Sequence, residues 1–151
     1  MPHHRAGAAA ALLAVTLAAG CGGGGSDRLS QADFQQKADA ICQRSRDQIQ
    51  PLAKGANTVE GLKKYAGAAA FSIAAEAKAL SALKPPEDKQ DAFNRAKALV
   101  AWQAKQAVAL FQAASARDPQ KVNQVAKELS SRRAEGRQIG QELGLKVCGQ
   151  G

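Results

Sequence analysis

Histidine occurs only at His3 and His4, and methionine only at Met1, so the chain beyond Arg5 contains neither. That absence excludes imidazole general bases, Ser–His–Asp and Cys–His nucleophile systems, His-ligated zinc or haem, and His-containing di-iron bundles from the rest of the chain. Aromatic residues make up 4% of the sequence, with one tryptophan and one tyrosine. No alternating β-branched run reads as a strand, and no glycine-rich loop follows one to cradle a phosphate. No stretch carries five like charges in a row. An enzyme would have to work by carboxylate or lysine chemistry, and no paired acids in a cleft are evident.

The chain has 151 residues and a mass of 15.7 kDa, the size of one domain. Its N-terminus has Arg5 followed by an apolar stretch from Ala6 to Ala19. That stretch is shorter than the ~20 residues a spanning helix needs, but it fits the apolar region of a signal peptide. It ends in Leu17-Ala18-Ala19-Gly20-Cys21, which resembles a bacterial lipobox with Ala18 where leucine is usual. The resemblance implies removal of residues 1–20 and acylation of Cys21. An ordinary secretory signal cleaved near Ala-x-Ala is the alternative. Gly22 to Gly25, with Ser26 and Asp27, have almost no side chain to pack, so residues 21–29 read as a flexible tether.

Removing Arg5 leaves 20 basic against 13 acidic side chains, a net charge of +7 for the mature chain. Such a balance suits nucleic acid, an anionic lipid or an anionic wall polymer, or serves only solubility. The cysteines add a second constraint. With Cys21 acylated, Cys42 and Cys148 remain as an even pair in an exported protein, which points to a disulfide. Two free buried thiols are the alternative.

The remaining residues, 30–151, read as four helices. Ser30 is the N-cap of the first, with Asp33 at N3 and Leu29 placed to staple against Phe34. Its inward positions are Phe34, Ala38, Ile41, Ser45 and Ile49, and Pro51 closes it near Gln50. Asn57 with Glu60 opens the second, whose stripe is Val59, Leu62, Ala66, Ala69, Ile73, Leu80 and Leu83. Pro85-Pro86 stop it and start the third, which runs to about Ala116. The third buries Phe93, Ala96, Leu99, Val100, Ala107, Leu110, Phe111 and Ala114. Asp118-Pro119 is an N-cap followed by proline at N1, opening a fourth helix with Val122, Val125, Leu129, Gly136, Ile139 and Leu143 inward. Gly144 suits a left-handed C′ position, with Leu145 as its apolar partner.

Short connections make an up-down-up-down antiparallel four-helix bundle the expected all-α fold. Only 26 of the 131 mature residues are Val, Ile, Leu, Phe, Tyr or Trp, so alanines must bring the helices close. In that topology the C-terminal tail starts beside the first helix. Cys42 lies 12 residues beyond Ser30, ~18 Å along a helix. The five residues from Leu143 to Cys148 reach ~16–18 Å extended. The tail is therefore expected to fold back onto the first helix and meet Cys42.

Phe34-x-x-x-Ala38-Asp39-x-Ile41-Cys42, Pro85-Pro86 and Gly144-Leu145-x-x-Cys148-Gly149 resemble small exported lipoproteins of actinobacteria. These are uncharacterised helical proteins with paired cysteines. The resemblance implies a fold, a disulfide and a compartment (the extracytoplasmic face of the cell membrane), and it carries no catalytic residue.

Three features have chemistry beyond scaffolding. Lys127, Arg132, Arg133 and Arg137 concentrate positive charge on the fourth helix, where Arg133 and Arg137 could grip a phosphate or carboxylate. The plainer reading is a solvated face paired with Glu128 and Glu135. Trp102, Tyr65 and Phe71 have the character to line an apolar pocket between helices, or simply to pack. Glu76 falls near the inner stripe of the second helix and reads as a boundary residue whose carboxylate reaches solvent. The expected role is a membrane-anchored, non-enzymatic interaction or structural module of the cell envelope. A small helical binding protein for an apolar or anionic ligand is the alternative. The expected partners are the membrane, through Cys21, and an envelope protein or anionic polymer; no cofactor and no nucleic acid are expected.

Overall fold

The computed structural model describes residues 27–150; the signal peptide, Cys21 and the glycine run expected above lie outside them. Among the described residues there are helices and no strand: α1 Gln31–Ala53, α2 Val59–Ser81, a 3-10 turn at Glu87–Lys89, α3 Gln90–Ser115, α4 Pro119–Ser131 and α5 Arg133–Leu143. They pack as four helical segments, the fourth broken into α4 and α5. α3 touches α2, α4 and α5, and α1 packs on α2.

Local chemistry explains the starts. The Ser30 hydroxyl accepts from the Asp33 N–H at 3.1 Å and donates to the Asp33 carboxylate at 2.7 Å. Leu29 packs against the cluster that contains Phe34, as a staple should. Asp118 accepts from the Lys121 N–H at 2.9 Å, with Pro119 opening α4. The cap of α2 is Thr58 rather than Asn57: its hydroxyl accepts from the Gly61 N–H at 3.0 Å, one residue later than the Asn57–Glu60 pattern predicts.

Two ends differ from expectation. α1 runs through Pro51 to Ala53: proline's fixed φ is already helical, and its missing bond and the crowding of its ring on the Asp47 carbonyl fall in the exposed last turn, where water can serve that carbonyl. The single fourth helix breaks at Arg132. There the Ser130 and Ser131 hydroxyls donate to the carbonyls of Lys127 and Glu128 at 2.9 and 2.8 Å, competing with the helical ladder. Arg132 itself leaves helical geometry, at φ −99° and ψ 7°.

The stripes converge on two clusters. One joins Phe34 and Ala38 of α1, Leu80 of α2, Phe93 and Leu99 of α3, and Ile139 and Leu143 of α5. The other joins Ala66, Leu110 and Val125 from α2, α3 and α4. Phe34 and Phe93 meet edge-to-face with ring centroids 5.2 Å apart. Val59 and Phe111, both expected inward, are exposed.

α5 ends as its sequence predicts. Gly144 takes φ 71°, and the Leu145 N–H donates to the Gly140 carbonyl at 2.8 Å. From α1, Gln31 and Gln35 donate to the Leu143 carbonyl at 3.0 and 3.4 Å. α3 closes with the same motif, but its left-handed position holds Arg117 at φ 55°. The Asp118 N–H there donates to the Ala113 carbonyl at 3.0 Å. A side chain costs about 1–2 kcal/mol in that conformation, and glycine almost nothing. Arg117→Gly is therefore expected to raise stability by ~0.5–1 kcal/mol after its greater unfolded-state entropy is counted. The change should appear as a higher urea midpoint at unchanged slope.

Candidate functional site

The residues flanking the bundle set where a ligand or partner can reach. At the N-terminal end of the described chain, residues 27–29 are bonded to the α2–α3 connection. Lys84 pairs with Asp27 at 2.8 Å, Arg28 donates to the Pro85 carbonyl at 3.0 Å, and the Leu29 N–H donates to the Lys84 carbonyl at 2.9 Å. The hydrogen bond from Lys84, and then its charge, hold the Asp27 carboxyl below its ordinary range.

At the other terminus, Cys42 and Cys148 lie at disulfide distance, with Cα atoms 5.3 Å apart. The approach is organised by Asp39, whose carboxylate accepts from the N–H groups of Lys146, Val147 and Cys148 at 2.9, 2.8 and 3.3 Å. A Cβ on Gly140 would sit 2.6 Å from the Cys148 carbonyl oxygen, so only glycine lets the tail lie this close to α5. The sequence had marked both cysteines but attached no role to Asp39. Its spacing of three from Cys42 was the available signal.

A cavity of about 80 Å³ opens between α2, α3, α5 and this tail, lined by Leu80, Phe93, Leu99 and Ile139 together with both cysteines and Glu76. Glu76 is half-buried, contrary to its reading as a carboxylate reaching solvent: Cys42 and Ser45 of α1 lie against it, and it lines the cavity together with residues of α3, α5 and the tail. Its Oε1 is 3.5 Å from the Cys42 sulfur. Burial pushes the Glu76 carboxyl up from its ordinary 4.5, against a smaller opposing effect of a hydrogen bond from Ser45. A folded-state value above the unfolded one means that the folded state holds the proton more tightly. The full stability is then present below 4.5 and is lost as pH rises through the folded value. Glu76→Gln, which cannot ionise, should melt above wild type at pH 7, with the gap closing by about pH 4. Thermal melts at the two pH values check this; an equal gap at both would show that ionisation is not the cause.

The cavity is smaller than the ~150 Å³ that holds a benzene in an apolar core. A second cleft, about 330 Å³, lies where the α1–α2 and α3–α4 connections meet, lined by Thr58, Leu62, Arg117, Asp118 and Val122. Thr58 and Asp118 are already engaged as helix caps.

The three expected aromatics are not brought together. Trp102 packs against the first cluster and Tyr65 against the second, and neither lines the ~80 Å³ cavity or the ~330 Å³ cleft. Phe71 is 75% exposed. The basic group is also divided. Arg132 is not open to a ligand, because its guanidinium bonds Glu135 at 2.7 and 3.0 Å and stacks 4.7 Å from the Trp102 ring centre. Arg133 and Arg137 sit together on exposed turns of α5, Lys127 stands on α4, and none of the three forms an ion pair among the described residues.

What the sequence reading missed is an apolar flank. Phe71 on α2 and Val108 and Phe111 on α3 are exposed by 75, 44 and 40%. Phe111 lies against the backbone of Gly67, within 3.4–3.5 Å of where a Cβ would be. The signal was present: Gly67, Phe71 and Ala74, like Ala101, Ala104, Val108 and Phe111, follow spacings of three and four. Among the described residues no group of three or more Cys, Asp and Glu side chains could hold a metal, and no helix is long and apolar enough to cross a membrane. No family model matches the chain, and neither a curated protein nor a solved structure matches it.

Proposed function

We propose that the chain is an extracytoplasmic lipoprotein of the cell envelope, held to the membrane by an acylated Cys21, and that its helical domain is a non-enzymatic interaction module. The observation that carries the second half is the exposed apolar flank of α2 and α3, on a molecule whose larger side chains otherwise converge on two clusters. A folded chain keeps Phe at such a position at no gain to itself, so the gain lies in what covers it. The ~80 Å³ cavity is too small to seat a drug-sized ligand, and the ~330 Å³ cleft, at the low end of ligand-site size, has its Thr58 and Asp118 side chains already engaged as helix caps, which favours a surface role over ligand carriage. The compartment rests on the lipobox-like Leu17-Ala18-Ala19-Gly20-Cys21 and the glycine run after it.

We also infer the finer architecture: α1, α2, α3 and the α4–α5 pair run up, down, up and down, with residues 145–149 returning along α1. The bonds from Gln31, Gln35 and Asp39 to the end of α5 and the tail support it.

The test of the anchor is intact-protein mass spectrometry of the membrane fraction. A diacylglyceryl-modified N-terminal Cys21 is the expected result. A soluble protein with an unmodified N-terminus elsewhere would overturn it. For the module, crosslinking in native envelopes should give adducts that Phe71→Ser abolishes without changing the melting curve.

A further inference from the structure

The α2–α3 flank carries a charge pattern as well as an apolar one. Lys64, Phe71 and Lys78 stand seven residues apart on α2 and share one stripe of that helix. On α3, Lys105 lies one turn before Val108 and two before Phe111. Ala66 beside Leu110 at one end and Leu80 beside Phe93 at the other set α2 and α3 in opposite directions, which brings residue 71 opposite the stretch around Val108. None of Lys64, Lys78 and Lys105 forms an ion pair among the described residues, although Lys63, Lys84 and Lys89 do. Of the two acids on α2, Glu60 is already paired with Lys63, and Glu76, two residues before Lys78, is half-buried against Cys42 of α1.

Reach points to the occupant. If Cys21 is acylated, five residues separate it from Asp27, and the six steps between them span at most ~22 Å. Asp27 is fixed to Lys84, just past the end of α2, and Phe71 stands ten residues back from Ser81, ~15 Å along the helix. A domain on so short a leash presents this flank to the bilayer by lying on its side. Phenylalanine with unpaired lysines around it is the chemistry that seats a helix face at an anionic lipid interface.

We infer that the α2–α3 flank, with Phe71, Val108 and Phe111 at its centre and Lys64, Lys78 and Lys105 at its rim, docks on the surface of an anionic lipid bilayer. The inference deepens the interaction-module reading and rests on it. Docking removes the exposed rings from water and gives the lysines phosphate partners. The diacylglyceryl anchor already holds the chain at the membrane, so docking of a basic apolar patch sets the orientation of the domain rather than its attachment.

The test uses the full protein purified from membranes and reconstituted into vesicles of phosphatidylcholine, with or without phosphatidylglycerol, whose acyl chains carry bromine quenchers. In a Phe71→Trp, Trp102→Phe chain, the tryptophan at position 71 is expected to be quenched in the anionic vesicles and not in neutral ones. In the native chain Trp102, packed against the core under Arg132, should be quenched in neither. Each lysine near an anionic surface is worth about fivefold in binding, so Lys64→Gln, Lys78→Gln and Lys105→Gln together should lower the docked-to-undocked ratio by about a hundredfold and remove the quenching.

Intact mass of the same preparation separates the two readings. An acylated protein whose position 71 stays unquenched overturns docking and leaves the anchor standing. An unacylated protein that nevertheless floats with phosphatidylglycerol vesicles supports the docking face while the anchor fails. Quenching of equal strength in neutral vesicles, or a dimer in solution that buries position 71 without lipid, overturns the inference in favour of a purely apolar contact or a second copy of the chain.

Discussion

Replacing Cys148 by Ser is expected to lower the melting temperature by roughly 6–20 °C, the equivalent of about 2–5 kcal/mol in a domain of this length. The link between Cys42 and Cys148 closes a ring of residues 106 apart. The chain-entropy model assigns such a ring about 4–5 kcal/mol, by removing freedom from the unfolded chain. The Asp39 carboxylate still holds the tail in the variant, so the fold survives and the loss is of stability. Because one bond is removed whichever partner is changed, Cys42→Ser, Cys148→Ser and the double variant should melt within a couple of degrees of one another. Non-reducing peptide mapping of the wild type should recover the two cysteine peptides joined. Two freely alkylated thiols in the native protein would refute the link.

Phe93→Ala is expected to cost about 3–5 kcal/mol. The ring is 1% exposed, stands edge-to-face on Phe34, and carries the Lys97 ammonium 5.3 Å from its centre. Its neighbours Phe34, Leu80, Leu99, Ile139 and Leu143 are themselves buried and held by their own packing, so they close over the vacated space only in small part. The cavity term is therefore felt nearly in full. Against a total stability of about 5–15 kcal/mol, the loss takes a large share. A urea titration should show a lower midpoint at unchanged slope. Phe71→Ala, on the same scale, should stay within about 0.5 kcal/mol, since its ring is already in water. A cost below ~1 kcal/mol for Phe93 would mean that this ring is not at the centre of the core.

The elements that were legible share one property: their signal and its physical cause lie within one helical turn. Ser30 with Asp33, Asp118 before Pro119, and Gly144 before Leu145 are each read locally and found as read. The break at Arg132 was local as well, in Ser130-Ser131, but it competed with a continuous apolar stripe that argued for one helix. The candidate site was less legible. Glu76 looks like a boundary residue until α1 packs on α2 and sets Cys42 and Ser45 against it. Phe111 sits on the edge of its stripe, and only the position of α2 decides that its ring rests on Gly67 with one side in water.

By itself, the sequence determined that this is an all-helical chain with defined caps, an alanine-rich interior and two cysteines to join. Caps, turns and helical periodicity are short-range, and each is settled by the residues that make it. Only the tertiary structure decided which of two neighbouring stripes on α2 and α3 faces the core, and so that Phe71, Val108 and Phe111 are left outside. In alanine-rich helices adjacent stripes differ little in apolar area, and their burial is chosen by the packing of the other helices. The same holds for Asp39 and Glu76: the first meets the Val147 N–H across 108 residues of chain, and the second loses its water only when α1 packs beside α2.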